Sequence, residues 1–366
     1  MNNKITSLQI LRGIAALSVV LYHYNLYLVP NGLAREIPDK LFGWGAIGVD
    51  LFFVISGFIM VYVTHRKPYG FKTSINFIIN RVVRVLPTYY AILFITIFCI
   101  GGIDIILNIN LDNDPNFASA LMFNPYIPYT APLYIPDSGL YNIRWTLNYE
   151  MYFYIAFAVC LLFKPRLALL AFWFLLPVAF AVYATDTFTM STRGYEFELV
   201  KLRFITNPII LEFGIGVLTG YAYLRLHDNK HLKSGVLCAA LTLTIIVGIS
   251  LGYLRAYSLI SATAFSFLVL LFSIQSDEII KRTPKIFVTL GNISFSWYLI
   301  HTPLLFLASL KFDKYYPGAI NSFSGFGVLL ALSIILAWIS HRFIEVSLTS
   351  NIKRFIDAGL HYKSKS

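Results

Sequence analysis

Two residues in the first long apolar stretch could do chemistry together. Arg12 and His23 stand eleven positions apart, close to three turns of a helix, so both fall on one face about 16 Å apart along the axis. Ionisable side chains are costly in hydrocarbon and by default face a bundle interior. A cation near one mouth and a titratable base deeper inside suit an anionic ligand with a long uncharged arm. The plainer alternative is that Arg12 snorkels to the interface while His23 is a satisfied packing residue. Asp50 near the start of the second apolar stretch is placed to orient the imidazole, as the third member of a hydrolytic triad does, or to serve as a structural ion-pair partner. Ser56 with Gly57 offers a weak candidate nucleophile, although small residues mostly serve close helix packing. Arg81 and Arg84 are three apart, hence on one helix face, and paired guanidinium groups match phosphate oxygens; ordinary bias of basic residues toward the cytoplasm explains them too. Glu150 sits one turn inside the fourth apolar stretch. Glu212 and His301 stay undecided, and His341 and Glu345 read as residues of a solvated helix end.

These residues must be carried by membrane helices. The chain has 366 residues with 57% hydrophobic and only 13% charged positions, and its mean hydropathy is +0.68. A soluble chain carries roughly a quarter charged residues. The composition excludes a water-soluble globule, a disordered chain and a disulfide scaffold. It leaves an all-α polytopic transmembrane bundle. About ten spans are expected, near Leu8–Leu28, Trp44–Thr64, Val85–Leu107, Trp145–Phe163, Leu167–Thr185, Phe204–Leu224, Ser234–Leu254, Ala256–Ser276, Ile286–Leu310 and Gly325–Ile344.

An even number of spans puts both termini on one side, and 20 of the 29 Lys and Arg then share that side. By the positive-inside rule both termini are cytoplasmic. This also accounts for the net charge of +11 without nucleic acid. Residues 1–345 form one transmembrane domain, and 346–366 a short cytoplasmic tail. His65–Arg84 reads as a basic inner loop. Asn108–Asn142 is the longest outer connection, with Tyr126, Tyr129, Tyr134 and Tyr141 as a candidate aromatic surface. No cleavable signal peptide is expected, because the first apolar run is long enough to span. Cys99, Cys160 and Cys238 lie inside apolar runs and suggest neither a metal site nor a disulfide framework.

The sequence resembles the acyltransferase 3 family of integral membrane acyltransferases along nearly its whole length. LQILRGIAALSVVLYHY, with Arg12 and His23, resembles the family's opening, and GVDLFFVISGF its second-span signature. FIINRVVRVLPTYY resembles the RxxR stretch before a proline, here Arg81, Arg84 and Pro87. RWTLNYEMYFY resembles the WSLxxE stretch, here Trp145 and Glu150 with Thr146 in place of Ser. GNISFSWYLIHTP, with His301, resembles the late YLxH motif, and HRFIE the closing one. The resemblance implies an O-acyltransferase of the cytoplasmic membrane, with acyl-CoA, most often acetyl-CoA, as co-substrate and no permanently bound cofactor. The acceptor would be a hydroxyl of a glycan or lipid-linked sugar at the outer face. On this reading Arg12, Arg81 and Arg84 hold the nucleotide phosphates, His23 is the general base and Asp50 orients it. Trp145, Glu150 and His301, with the aromatic outer loop, contact the acceptor. The extracytoplasmic hydrolase-like domain of some members is not found after the spans, which points to a stand-alone enzyme. Composition alone favours a secondary transporter of a small polar or sugar-like solute. Transporters often show repeated halves, whereas the charged motifs here gather in the first 150 residues.

Overall fold

A computed structural model describes residues 5–28, 36–107, 114–136, 142–312 and 314–363. Among them there are helices and turns and no strand. The helices are α1 (Ser7–Asn25), α2 (Glu36–Phe42), α3 (Gly48–Thr64), α4 (Phe71–Leu107), α5 (Pro115–Met122), α6 (Arg144–Cys160), α7 (Arg166–Thr185), α8 (Val200–Thr206) and α9 (Ile210–Leu226). They continue as α10 (Gly235–Ser250), α11 (Leu259–Ile274), α12 (Ser276–Arg282), α13 (Lys285–Leu307), α14 (Phe323–Ser340) and α15 (Val346–Lys363). Six helical runs are long and apolar enough to cross a membrane, and a seventh is α11 with α12, bent by 85°. The chain is a multi-pass membrane protein.

The other three expected spans are helices too. Of these, α10 is apolar but only 16 residues long. In α1 and α6 most positions are buried within the protein, so their polar side chains meet other side chains rather than lipid. A helix surrounded by protein can carry Arg, His, Gln and Glu, and its mean hydropathy falls accordingly.

Several helices meet at backbone distance. A Cβ on Gly291 of α13 would sit 1.8 Å from the Gln9 carbonyl of α1, and one on Gly216 of α9 would sit 2.2 Å from the Val54 carbonyl of α3. Small residues permit such close approach. The seam between α1 and α13 continues until His23 meets His301. At its start, Ser7 Oγ donates to the Phe272 carbonyl (2.6 Å) and ties α1 to α11.

One boundary differs from expectation. The stretch read as the inner loop His65–Arg84 is helical from Phe71, because its polar residues Lys72, Asn76 and Asn80 are exposed and cost little on an amphipathic turn. Arg81 and Arg84 are therefore inside a helix. The segment read as a tail is α15, joined to α14 through a π-helical turn at His341–Glu345. It rests on α4, where Thr349 Oγ1 donates to the Val83 carbonyl (3.4 Å).

Candidate active site

Helices α1, α3, α4, α6 and α13 enclose a cavity of about 90 Å³ lined by Arg12, Ser56, Arg81, Arg84, Thr146, Glu150, Tyr154 and Tyr298, among others. It shares Arg12, Ile59, Arg81 and Arg84 with a wider funnel of about 970 Å³, which also carries Lys67, Lys353, His341 and Glu345. The three arginines singled out in the sequence thus converge on one space. The helix period explains why. Arg81 and Arg84 share a face of α4, and Phe77, one turn earlier, lies under the Arg81 guanidinium at 5.5 Å.

None of these arginines is in an ion pair within 4 Å among the described residues. Arg12 Nη1 donates weakly to Gln9 Oε1 (3.4 Å), and the buried Arg81 Nε has no partner. Glu150 and Glu345 act on Arg12 from further away. A buried donor without an acceptor, such as Arg81 Nε, is costly.

Glu150 lines this cavity with the arginines. It accepts a hydrogen bond from Tyr154 Oη, one turn along α6, and lies where it offsets part of the arginine charge. Ser56 also lines the cavity, with no hydrogen bond to a histidine among the described residues. The helix-end reading of His341 and Glu345 is corrected. Glu345 is largely buried, pairs with His341 Nδ1 at 3.0 Å, and accepts from Ser296 Oγ of α13 at 2.7 Å. Their spacing of four, which puts both on one face, was the available signal.

His23 does not line the arginine cavity. Its Nδ1 lies 2.8 Å from the Val19 carbonyl and 3.3 Å from Nε2 of the fully buried His301. His301 Nδ1 faces the Trp297 carbonyl at 3.2 Å. Carbonyls only accept, so each Nδ1 carries the proton and His301 Nε2 accepts from His23. The consistent arrangement is two neutral rings with the Nε2 lone pair of His23 uncommitted among the described residues. Tyr298 stands between the rings and the cavity: it lines the cavity, and its ring centroid is 5.5 Å from that of His301. Sequence reasoning had passed over Tyr298 and had assigned His301 to the acceptor.

Asp50 does not make the hydrogen bond to His23 that was expected of it; His301 does. Fully buried on the first turn of α3, Asp50 accepts from the backbone N–H of Tyr257 (3.0 Å) and of Ser258 (2.9 Å), at the start of α11. These donors lie 207 and 208 residues away, in a loop without a motif. Glu212, on the first turn of α9, lies against the same carboxyl, and its oxygens have no other partner among the described residues. Asp50 thereby fixes Tyr257, whose φ of 59° is left-handed and rare for a bulky residue. The Tyr257 ring lies edge-on to Trp145 at 5.4 Å. Trp145 is buried and also meets Phe53 and Tyr149.

Of the outer-loop tyrosines, Tyr129 is exposed and Tyr134 is buried. Tyr134 Oη donates to the Arg203 carbonyl (3.1 Å) and accepts from Asn207 (2.9 Å), bonds that hold the loop. Tyr141 lies outside the described residues.

Comparison with known proteins agrees with the resemblance. The chain is 32% identical over 196 residues to a Rhizobium meliloti protein named exopolysaccharide production protein ExoZ, covering 52% of this chain and 55% of that one. It is 30% identical over 155 residues to the Bacillus subtilis protein named "Putative peptidoglycan O-acetyltransferase YrhL", covering 40% of this chain and 22% of that one. Staphylococcus aureus proteins named as O-acetyltransferases, with the prefix "Putative", align over 92% of the chain at 25% identity and 56% of their own length. The chain thus spans about half, or less, of the length of these relatives. No solved structure gives a significant match. The profile of the family described as acyltransferase domain matches residues 5–342, which takes in the arginine cavity and both histidines, and the chain belongs to this acyltransferase 3 family.

Proposed function

We propose that the protein is a membrane O-acyltransferase. It moves an acyl group, in the simplest case acetyl, from acyl-CoA to a hydroxyl of an extracytoplasmic glycan or lipid-linked sugar. The observation that carries this reading is the convergence of Arg12, Arg81 and Arg84 on one cavity, unpaired within 4 Å, open to a funnel and followed by two hydrogen-bonded histidines. Coenzyme A offers the matching ligand: phosphates at one end and an uncharged arm that ends in the thioester. The basic bias of the termini side supports ten crossings, cytoplasmic termini and donor entry from the cytoplasm. The names of the relatives, with exopolysaccharide and peptidoglycan in them, support a glycan acceptor, and a cytoplasmic donor is consistent with the cytoplasmic membrane as location.

The uncommitted Nε2 of His23 acts as general base on the acceptor hydroxyl. His301 holds the His23 ring in the tautomer that leaves Nε2 free. Asp50 supports the acceptor side at one remove, by fixing the Tyr257 loop against Trp145. Glu150 tunes the arginine cluster.

The test is transfer of radiolabelled acetyl from acetyl-CoA by the protein in nanodiscs, with membranes of the producing cell as acceptor, and NMR of the glycan product. Replacement of His23 by Ala is expected to lower kcat by about 10²- to 10⁴-fold, with the protein still inserted and monodisperse. Near wild-type transfer by the variant refutes His23 as base. Solute uptake without any consumption of acetyl-CoA favours a transporter instead.

A further inference from the structure

The cavity that holds the arginines ends at two hydroxyls. Tyr298 of α13 and Thr146 of α6 both line it, and Tyr298 Oη lies 2.8 Å from Thr146 Oγ1. Thr146 Oγ1 also faces the Ile143 carbonyl at 3.1 Å. A carbonyl cannot donate, so the threonine proton goes to Ile143 and the tyrosine proton goes to Thr146. The Tyr298 hydroxyl therefore directs its proton to Thr146, a second residue of the cavity wall. Its only other acceptor among the described residues is the Ile143 carbonyl, at 3.4 Å. On the far side of the same ring stands His301, hydrogen-bonded to His23. Phe52 packs edge-on to the ring at 6.0 Å and keeps this end apolar.

We propose that the Tyr298 hydroxyl is the oxyanion-binding donor of the transfer reaction, held ready by Thr146. The inference rests on the acyltransferase reading above. An acyl thioester lying in the cavity with its phosphates among the arginines brings its carbonyl to the Tyr298 hydroxyl, beside the ring that contacts the histidine pair. The acceptor oxygen attacks the carbonyl carbon, and its proton passes to His23 Nε2. The electrons of the carbonyl bond move to oxygen, and the oxyanion takes the hydrogen bond that Tyr298 otherwise makes to Thr146. When the carbonyl re-forms, the carbon–sulfur bond breaks, and the departing sulfur takes that electron pair and the proton from His23. The products are an ester and free coenzyme A, and both histidines are again neutral. A donor aimed at charge that develops only in the transition state acts on kcat and little on ground-state binding.

The experiment uses full-length protein in nanodiscs, with wild type, Tyr298→Phe, Thr146→Val and His23→Ala run in parallel. Tyr298→Phe keeps the ring that packs on Phe52 and His301 and removes only the hydroxyl. The expected result is a fall in kcat of about 10²- to 10³-fold, with the KM for acetyl-CoA and the Kd for coenzyme A within threefold of wild type. Thr146→Val keeps at least a tenth of wild-type kcat, because the donor itself remains. Replacing Tyr298 by a fluorinated tyrosine of lower phenol pKa shifts kcat, which a purely structural tyrosine does not do. A Tyr298→Phe protein with more than a third of wild-type kcat, alongside an inactive His23→Ala, overturns this assignment and leaves the acyltransferase reading intact. Loss of coenzyme A binding in Tyr298→Phe also overturns it, since the residue would then shape the cavity. Wild-type protein that transfers no acetyl group refutes the underlying reading, and this inference with it.

Discussion

Replacing Arg81 by alanine tests the donor site most directly. Its guanidinium lines both the cavity and the funnel, its buried Nε has no partner, and no carboxylate lies within 4 Å among the described residues. A phosphate arriving there gains a charge-assisted hydrogen bond without breaking an existing ion pair. Hydrogen bonds to charged groups contribute about 1.5–3 kcal/mol net, which corresponds to a rise in Kd for coenzyme A of about 10- to 150-fold. Arg12 and Arg84 remain, so binding weakens but is not abolished. Titration calorimetry of coenzyme A against nanodisc-embedded protein measures this at two salt concentrations. The wild-type affinity falls more steeply with salt than that of the variant, because one attractive charge is gone. Pantetheine, which lacks the nucleotide phosphates, binds both proteins equally, and kcat at saturating donor changes less than threefold. A Kd for coenzyme A within twofold of wild type refutes the assignment and returns Arg81 to the bias that sets topology.

Asp50→Asn leaves one carbonyl oxygen where two backbone N–H groups now share a carboxylate, and turns an amide NH₂ toward one of them. A loss of about 1–3 kcal/mol is expected, read as a lower melting temperature of the solubilised protein together with altered fluorescence of Trp145 beside Tyr257; an unchanged melting curve refutes the clamp. Gly291→Ala pushes a methyl group against the Gln9 carbonyl, where the Cβ position lies 1.8 Å away. Overpacking of this kind costs about 1–3 kcal/mol, and size-exclusion and melting profiles check it, with wild-type stability refuting the tight seam.

Reading along the chain succeeded where the information is periodic. Ten apolar runs each have a helical counterpart, because length and hydropathy report directly on what lipid and protein interior accept. The shared face of Arg81 and Arg84 follows from their spacing of three. Reading failed where contacts join distant segments. The partner of His23 is 278 residues away, and Asp50 is held by a loop whose sequence carries no signal. The neighbours of Glu150 are equally remote from it in sequence, since Arg12, Arg81 and Tyr298 come from three other helices. The first turns of α6 are buried, with Arg144 fully enclosed beside Asn116 and Ser119. The polar first turns of α4 resembled a loop, because a helix with one solvated face alternates without becoming uniformly apolar.

The glycine contact between α1 and α13 has a mechanical meaning. With no side-chain layer to slide on, these two helices travel as one piece, and Arg12, His23, Tyr298 and His301 keep their mutual distances through a turnover. Room for a bulky incoming molecule then has to come from displacement of α4 or α6, whose contacts with this spine are made by side chains that can change rotamer.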